Sequence, residues 1–390
     1  MWGFAAGLYF VAVFHRMALG VAALEAEQRY HVGAGALSAF TAVQLLVYLT
    51  MQVPVGLAAD RIGPRRSLAA GMAAIAVGEA VFALSGSLPG GLAGRALIGL
   101  GDAFIFVNVL RVTHTWFEPR RAAVLTGMTG LMGALGQLLT TVPVHMALDG
   151  IGWTATFAGA AAITAVLAVA ALGVMRDGPH HHAPAAHDAV LATLRAAWRE
   201  RRTRLAFWTH FGLMTPFVTM SALWGYPWLV EGQGIPRETA ATWLGAAVVA
   251  MAAAAPVAGR LGGRGPEMQM RIGLVMTCVL AVAWAVVLAW PGAQPPHPLI
   301  FVTLLVTGAS GSVAIVSFML ARAANPPHVA GSAAGLVNCG GFLAGSAAVL
   351  ATGLLLGADG RTAVGFQHAL LPMLGLTLLA LTQMARLRRA

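Results

Sequence analysis

The chain has 390 residues, 58% of them hydrophobic and only 10% charged, with a formal net charge of +10. Soluble domains carry about 25% charged residues, so this composition excludes a soluble enzyme or binding domain and leaves an integral membrane protein. Its apolar runs of about 20 residues are long enough to cross a bilayer as helices, and the alternating strands of about ten residues that mark a barrel are not seen.

Apolar runs and the residues that break them predict twelve membrane-spanning helices, over 2–24, 33–56, 66–87, 91–115, 122–145, 152–174, 204–230, 238–260, 270–290, 298–321, 330–355 and 366–386. The first run continues past any small-residue cleavage site, so it reads as a span and not as a signal peptide. Met1 opens directly on apolar sequence, which leaves room for a native leader upstream. All 24 basic residues are arginine. Eighteen of them fall in the loops after spans two, four, eight, ten and twelve and in the central linker. Only Arg29, Arg237 and Arg361 fall in the opposite loops. The positive-inside rule therefore puts the arginine-rich side and both termini in the cytoplasm. It accounts for the net charge by orientation and lipid contact, not by nucleic acid.

Span one holds Tyr9, His15 and Arg16. Glu25 and Glu27 mark its outer end, and Arg16 lies nine residues before Glu25, about 14 Å at the helical rise. That is close to half of a ~30 Å hydrocarbon core, so Arg16 is expected near the midplane, facing the bundle interior or a water-filled cavity. Arginine hardly deprotonates, so its charge needs a partner. Span two carries Gln44, Tyr48 and Gln52 as a polar stripe, span three Glu79, and span four Arg95, Asp102 and Arg111. Asp102 is the expected partner of Arg16. Glu79 and Arg95 are expected to form a structural ion pair, and Arg111 to snorkel. Gln137 in span five and Asn338 in span eleven are lone amides, as compatible with helix-to-helix bonding as with substrate contact.

The linker 176–203 divides the chain into six-span bundles over 1–175 and 204–390. Its segment "HDAVLATLRAAWRERRTR", 187–204, reads as a basic amphipathic helix on the inner membrane surface. "GPHHHAPAAH", 178–187, reads as a flexible surface linker in preference to a metal site. Span seven contains Pro216, Gly225 and Pro227 and is expected to bend or break. Trp224, Tyr226 and Trp228 either cover a cavity or belong to an outer aromatic belt, and His210 is a further proton carrier to consider. Cys278 and Cys339 have no metal-ligand spacing and read as helix packing. No metal, cofactor, nucleophile–base constellation or phosphate loop is expected, so the chain does not read as an enzyme.

The halves echo each other. "PVGLAADRIGP", 54–64, aligns with "PVAGRLGGRGP", 256–266, and Gly127 and Gly133 match Gly335 and Gly341. Two parallel six-span halves imply alternating access, with a ligand site near the midplane between them.

Within that frame, "GLAADRIGPRR", 56–66, resembles the loop signature of the major facilitator superfamily, and "RALIGLGDA", 95–103, resembles its fourth-span signature. The resemblance covers the whole chain. It implies an all-α membrane fold of twelve helices in two pseudo-symmetric bundles. It also implies a latch, made of Gly56, Asp60, Arg61, Gly63, Arg65 and Arg66, that favours the outward-open state. Asp60 is expected to bond a neighbouring helix N-terminus. In the second half Gly262 and Gly263 replace the Asp-Arg pair, so the latch there is weak. The "HR" at 15–16 and "WFEPRRAAVLTG", 116–127, are similar to proton-coupled organic anion symporters of the sialin and hexuronate type. This implies that Arg16 binds the anionic group of the substrate and that Asp102 carries the proton. His15 stands where that branch has an aspartate, and Asp102 where it has a glutamate; either can titrate.

A buried Arg16–Asp102 pair is satisfied when the site is empty. An anion that takes the arginine leaves Asp102 unpaired and favours its protonation, which is symport by linkage. Tyr9, Tyr48, Gln44, Gln137, Trp224 and Asn338 are the expected walls. The second half has no charge at the midplane, and a single arginine suits a small monocarboxylate. Organophosphate exchangers present one arginine from each half, and nitrate porters carry theirs in spans two and eight, so both are disfavoured. The competing reading is a proton-driven efflux antiporter for drugs or metabolites. Such proteins usually show a Gly-Pro motif in span five, and "GMTGLMGALGQ", 127–137, has the glycines without the proline. The expected setting is a bacterial cytoplasmic membrane, with a monomer among lipids whose partners are a small anion and protons.

Overall fold

The computed structural model describes residues 1–178 and 187–389. The side chains of Asp60 and Arg61, the surroundings of Gly56 and the histidine-rich stretch of the linker lie outside the described residues. The described chain is built of helices, ten of them long and apolar enough to cross a membrane. One of the ten, Val124–Val174, is two spans in series. Gly152 divides it with φ +74° and ψ 176°, a backbone conformation open to glycine alone. Gly63, at φ +78° and ψ 164°, makes the same break between spans two and three inside Ala34–Leu84.

Span seven is not among the ten because three arginines in its first turn and its polar and proline residues lower its mean hydropathy, and it is also interrupted. Its α-helix, Arg201–Thr219, runs on through π-helical turns at Met220–Trp224 and Trp228–Gly232, with Gly225–Pro227 between them. Pro227 brings no N–H to the ladder, and the wider hydrogen-bond spacing absorbs the mismatch. Counting the divided helix twice and adding the interrupted one gives the twelve spans.

The chain forms two compact units, Met1–Pro184 and Ala185–Ala390. In the first, glycines set the helix spacing. Gly71 stands against the Gly101 backbone and Gly78 against that of Gly94, so spans three and four cross with their backbones nearly touching. Gly99 brings span four equally close to Gln44 in span two. The second unit repeats these contacts. Gly308 of span ten lies against Ala247 of span eight, as Gly99 lies against Gln44. Gly341 of span eleven lies against His210 and Met214 of span seven, as Gly133 of span five lies against Tyr9 of span one. The Gly133–Gly341 match in the sequence is thus also a match of helix contacts.

Apolar side chains such as Met146, Ile163, Val166 and Val169 stand exposed on the spans, a surface suited to hydrocarbon. The linker helix, His187–Arg199, packs on the second unit: Ala197 joins a buried cluster with Leu205, Leu320 and Val329, and Thr193 Oγ1 lies 2.9 Å from Ser332 Oγ.

Candidate functional site: a buried charge cluster in the first unit

Two adjacent residues of Trp2–Val21 open two different neighbourhoods, because successive helical side chains diverge by about 100°. Arg16 turns to span four. Its Nε donates to Asp102 Oδ2 at 2.7 Å and its Nη2 to Asp102 Oδ1 at 2.8 Å. This is the fork geometry in which a guanidinium grips a carboxylate with two parallel bonds. The two side chains are only 8% and 1% exposed, so little water shares the interaction. The Tyr48 ring lies beneath the guanidinium, 4.9 Å from Cζ to its centroid. Tyr9 also bears on Arg16. Its ring packs on Phe106, centroids 5.1 Å apart, and fits against Gly133.

His15 turns the other way. Its Nε2 is 2.7 Å from Thr164 Oγ1 in span six, and that hydroxyl donates to the Ala160 carbonyl at 2.8 Å. Its Nδ1 is 3.1 Å from Glu79 Oε2, with both side chains buried. This corrects one expectation. Glu79 sits with His15, and no ion pair joins it to Arg95 among the described residues. The glycine crossing gives the reason. Gly78 and Gly94 face each other, so Glu79 and Arg95, each one residue on, are rotated by about 100° out of that contact. Arg95 Nη1 reaches the His15 carbonyl at 3.4 Å, and its Cζ stands 5.1 Å from the centroid of Phe82.

The other expected walls are placed more variously. Gln44 is buried one turn from Tyr48, and its side-chain amide has no hydrogen-bond partner among the described residues. Gln137 is buried in span five, and its backbone carbonyl accepts from the Thr140 hydroxyl. Asn338 is half-buried in the second unit. Trp224 requires a correction. It is fully buried, its indole N–H donates to the Val349 carbonyl at 2.9 Å, and Arg361 covers its face at 5.5 Å. Arg361 is itself tied to Glu231 at 2.6 Å. An indole with donor and face both committed is packing for span seven, not a wall waiting for a ligand. Tyr226 and Trp228 are buried too, unlike members of an interfacial belt.

In the loop signature, Arg65 and Arg66 are exposed. The structure adds an acid that sequence reasoning missed. Asp177, just past span six, accepts from the Arg65 N–H at 3.0 Å, at the N-terminus of span three. A Cβ on Gly63 would stand 2.5 Å from Asp177 Oδ1, so the glycine and the acid fit as a pair. Asp177 is 114 positions from Gly63, and no local motif marks it. Thr164 was missed for a similar reason: a threonine in an apolar span commonly bonds its own helix, and only the fold sets it beside His15.

Comparison with known proteins gives a consistent class. Residues 5–349 match the family model described as Major Facilitator Superfamily. A protein of Mycobacterium tuberculosis named for nitrate/nitrite transport, NarK2, is 28% identical over 318 residues, 79% of this chain and 76% of that protein. A protein of Agrobacterium vitis named for tartrate transport is 25% identical over 178 residues, 44% of this chain and 41% of that one. Among solved structures, a bacterial homologue of the human lysosomal transporter Spinster matches with a TM-score of 0.81 at 12% identity, covering 100% of this chain and 96% of that one, a likeness of fold.

Proposed function

The chain belongs to the major facilitator superfamily, and we propose that it carries a small organic anion, a monocarboxylate in the first instance, across the membrane together with a proton. The observation that carries this reading is the buried fork between Arg16 and Asp102. A permanent charge held by a single carboxylate inside the bundle is a site that an incoming carboxylate can take over. The ligand presents the same two oxygens to the same two N–H groups, with Tyr48 holding the guanidinium face. Once displaced, Asp102 loses its bidentate partner, and a proton taken up with the anion restores the charge balance of the site. Anion and proton then favour each other's binding by linkage. On the positive-inside rule the arginine-rich loops themselves lie on the cytoplasmic side.

The relative named for nitrate and nitrite supports anionic cargo. Spans two and eight carry no mid-span arginine here, which weighs against a two-arginine nitrate clamp and for a single-point anchor. The test is a thermal-shift panel on purified protein with lactate, pyruvate, tartrate, nitrate and nitrite. A ligand at a hundred times its Kd adds about 2.7 kcal/mol of stability. Stabilisation by the carboxylates, weakened in Arg16→Lys, supports the proposal. Stabilisation by cationic lipophiles alone sinks it in favour of efflux, and by nitrate alone moves the cargo to an inorganic anion.

A further inference from the structure

The mechanism above leaves Glu79 and Arg95 unused, although both are buried in the first unit with much of their hydrogen-bonding capacity unspent. Neither carboxylate oxygen of Glu79 has a hydrogen-bond partner among the described residues, nor do Nε and Nη2 of Arg95. Buried charges left so are costly, and the pattern points to groups that change partners.

His15 Nε2 faces the Thr164 hydroxyl, whose contact with the Ala160 carbonyl favours a hydrogen on Nε2. With that tautomer a neutral ring turns the Nδ1 lone pair to Glu79 Oε2, 3.1 Å away, and lone pair and carboxylate repel. A second ring proton turns the contact into an ion pair. The contact lacks hydrogen-bond alignment, so the carboxylate is near the imidazole without being locked to it.

We propose that His15 binds a proton in addition to the one taken up at Asp102, and that Glu79 is a switch acid, paired with the His15 imidazolium when that proton is bound and with Arg95 when it is not. The balance is simple. The proton passes from Nδ1 to solvent on the side to which the site opens, the imidazole becomes neutral, and Glu79 stays a carboxylate throughout while it exchanges one cation for the other. The partners are supplied by separate helices: Glu79 by span three, Arg95 and Asp102 by span four, Thr164 by span six, with Arg16 and the Phe14 ring beside His15 on span one. Tyr30, whose hydroxyl donates to the Phe82 carbonyl, is the remaining titratable group near Arg95. Arg95 Nη1 bonds the carbonyl of the peptide that joins His15 to Arg16. A change in its pairing is therefore felt directly beside the anion anchor. This inference rests on the anion–proton reading for its purpose, but not for its test.

The test follows the His15 ring by nitrogen NMR in purified, histidine-labelled protein, its signal assigned by its loss in His15→Gln. Glu79→Gln removes the anion that holds the imidazolium, so the pH at which that signal vanishes falls below that of wild type. Arg95→Gln removes the competing cation, and the same point moves upward. Glu79→Asp keeps the charge with a shorter reach and shifts it downward by less, which covers a poorly folding Gln variant. An unmoved His15 signal in the Glu79 variants, or shifts of the same sign for Glu79→Gln and Arg95→Gln, overturns the switch. A second arm uses proteoliposomes enclosing a pH dye, with a lactate or nitrate gradient. Anion-driven acidification that Glu79→Gln keeps at the wild-type proton-to-anion ratio also overturns it. Opposite NMR shifts without acidification by either anion support the switch and count against the anion reading, so the two ideas fail separately.

Discussion

Arg16→Lys is the sharpest test of the anchor. The native side chain offers Asp102 two N–H groups in one plane, at 2.7 and 2.8 Å. Lysine keeps the charge but is a point donor that cannot make the paired contact. A hydrogen bond to a charged group is worth about 1.5–3 kcal/mol, so losing one of two to a bound carboxylate weakens affinity by roughly 10- to 150-fold. Arg16→Ala goes further: it leaves Asp102 buried with no cation, a loss of about 3–5 kcal/mol in stability. The double variant Arg16→Ala/Asp102→Ala removes both charges and recovers most of that stability without recovering binding. Ligand affinity by isothermal titration, read beside thermal unfolding for all three proteins, separates a binding arginine from a structural one. Near-wild-type affinity in Arg16→Lys, or in a folded double variant, refutes the anchor.

Asp102→Asn leaves Arg16 without its counter-charge and costs about 3 kcal/mol of stability; a bound carboxylate then stabilises the variant more than it does wild type, as a thermal-shift titration reads. Gly94→Val forces side-chain bulk into the crossing with Gly78 and lowers stability by about 1–3 kcal/mol, checked by thermal unfolding of the purified protein. Gly152→Ala and Gly63→Ala each carry backbone strain of about 1–3 kcal/mol, but only Gly63 has Asp177 in the way, so Gly63→Ala is the less stable of the two in the same assay. Asp177→Asn weakens the helix-end contact with the Arg65 amide by about 1 kcal/mol, and equal unfolding temperatures for variant and wild type would show that the contact has no structural weight.

Much of the fold was legible because lipid leaves few options. Long apolar runs must be helices, and turn glycines such as Gly63 and Gly152 announce where they reverse. The Arg16–Asp102 contact was legible from depth alone, since the distance from Glu25 puts Arg16, and the position in span four puts Asp102, near mid-membrane, where an unpaired arginine is untenable. Depth is a coordinate along the helix axis, however, and says little about rotation. Glu79 and Arg95 share a depth, which is why they looked like a pair, but rotation sends Glu79 to His15. Trp224 failed in the same way. Its composition and position suit a cavity wall, and only the fold reveals Val349 and Arg361 already holding it. Asp177 and Thr164 depend on contacts between residues far apart in sequence, and no local pattern carries that information.

Rotation was nevertheless written in the sequence, in a form that becomes readable once the crossing is known. Three buried charged residues each follow a glycine directly: Gly78–Glu79, Gly94–Arg95 and Gly101–Asp102. Each of these glycines lies where spans three and four nearly touch. A glycine at the contact fixes the direction of the next residue, about 100° around the helix, and both spans then turn their charges toward span one. There His15 and Arg16, themselves about 100° apart, receive them separately: Glu79 at the imidazole, Asp102 at the guanidinium, with Arg95 bonded to the His15 carbonyl between them. The small residues are thus more than spacers. They let two helices approach closely enough for four buried charges to share one neighbourhood, and they set which charge meets which partner. A bulky residue at Gly78 or Gly94 would disturb the proposed proton switch, and one at Gly101 the proposed anion anchor, through geometry alone and without touching a charged group.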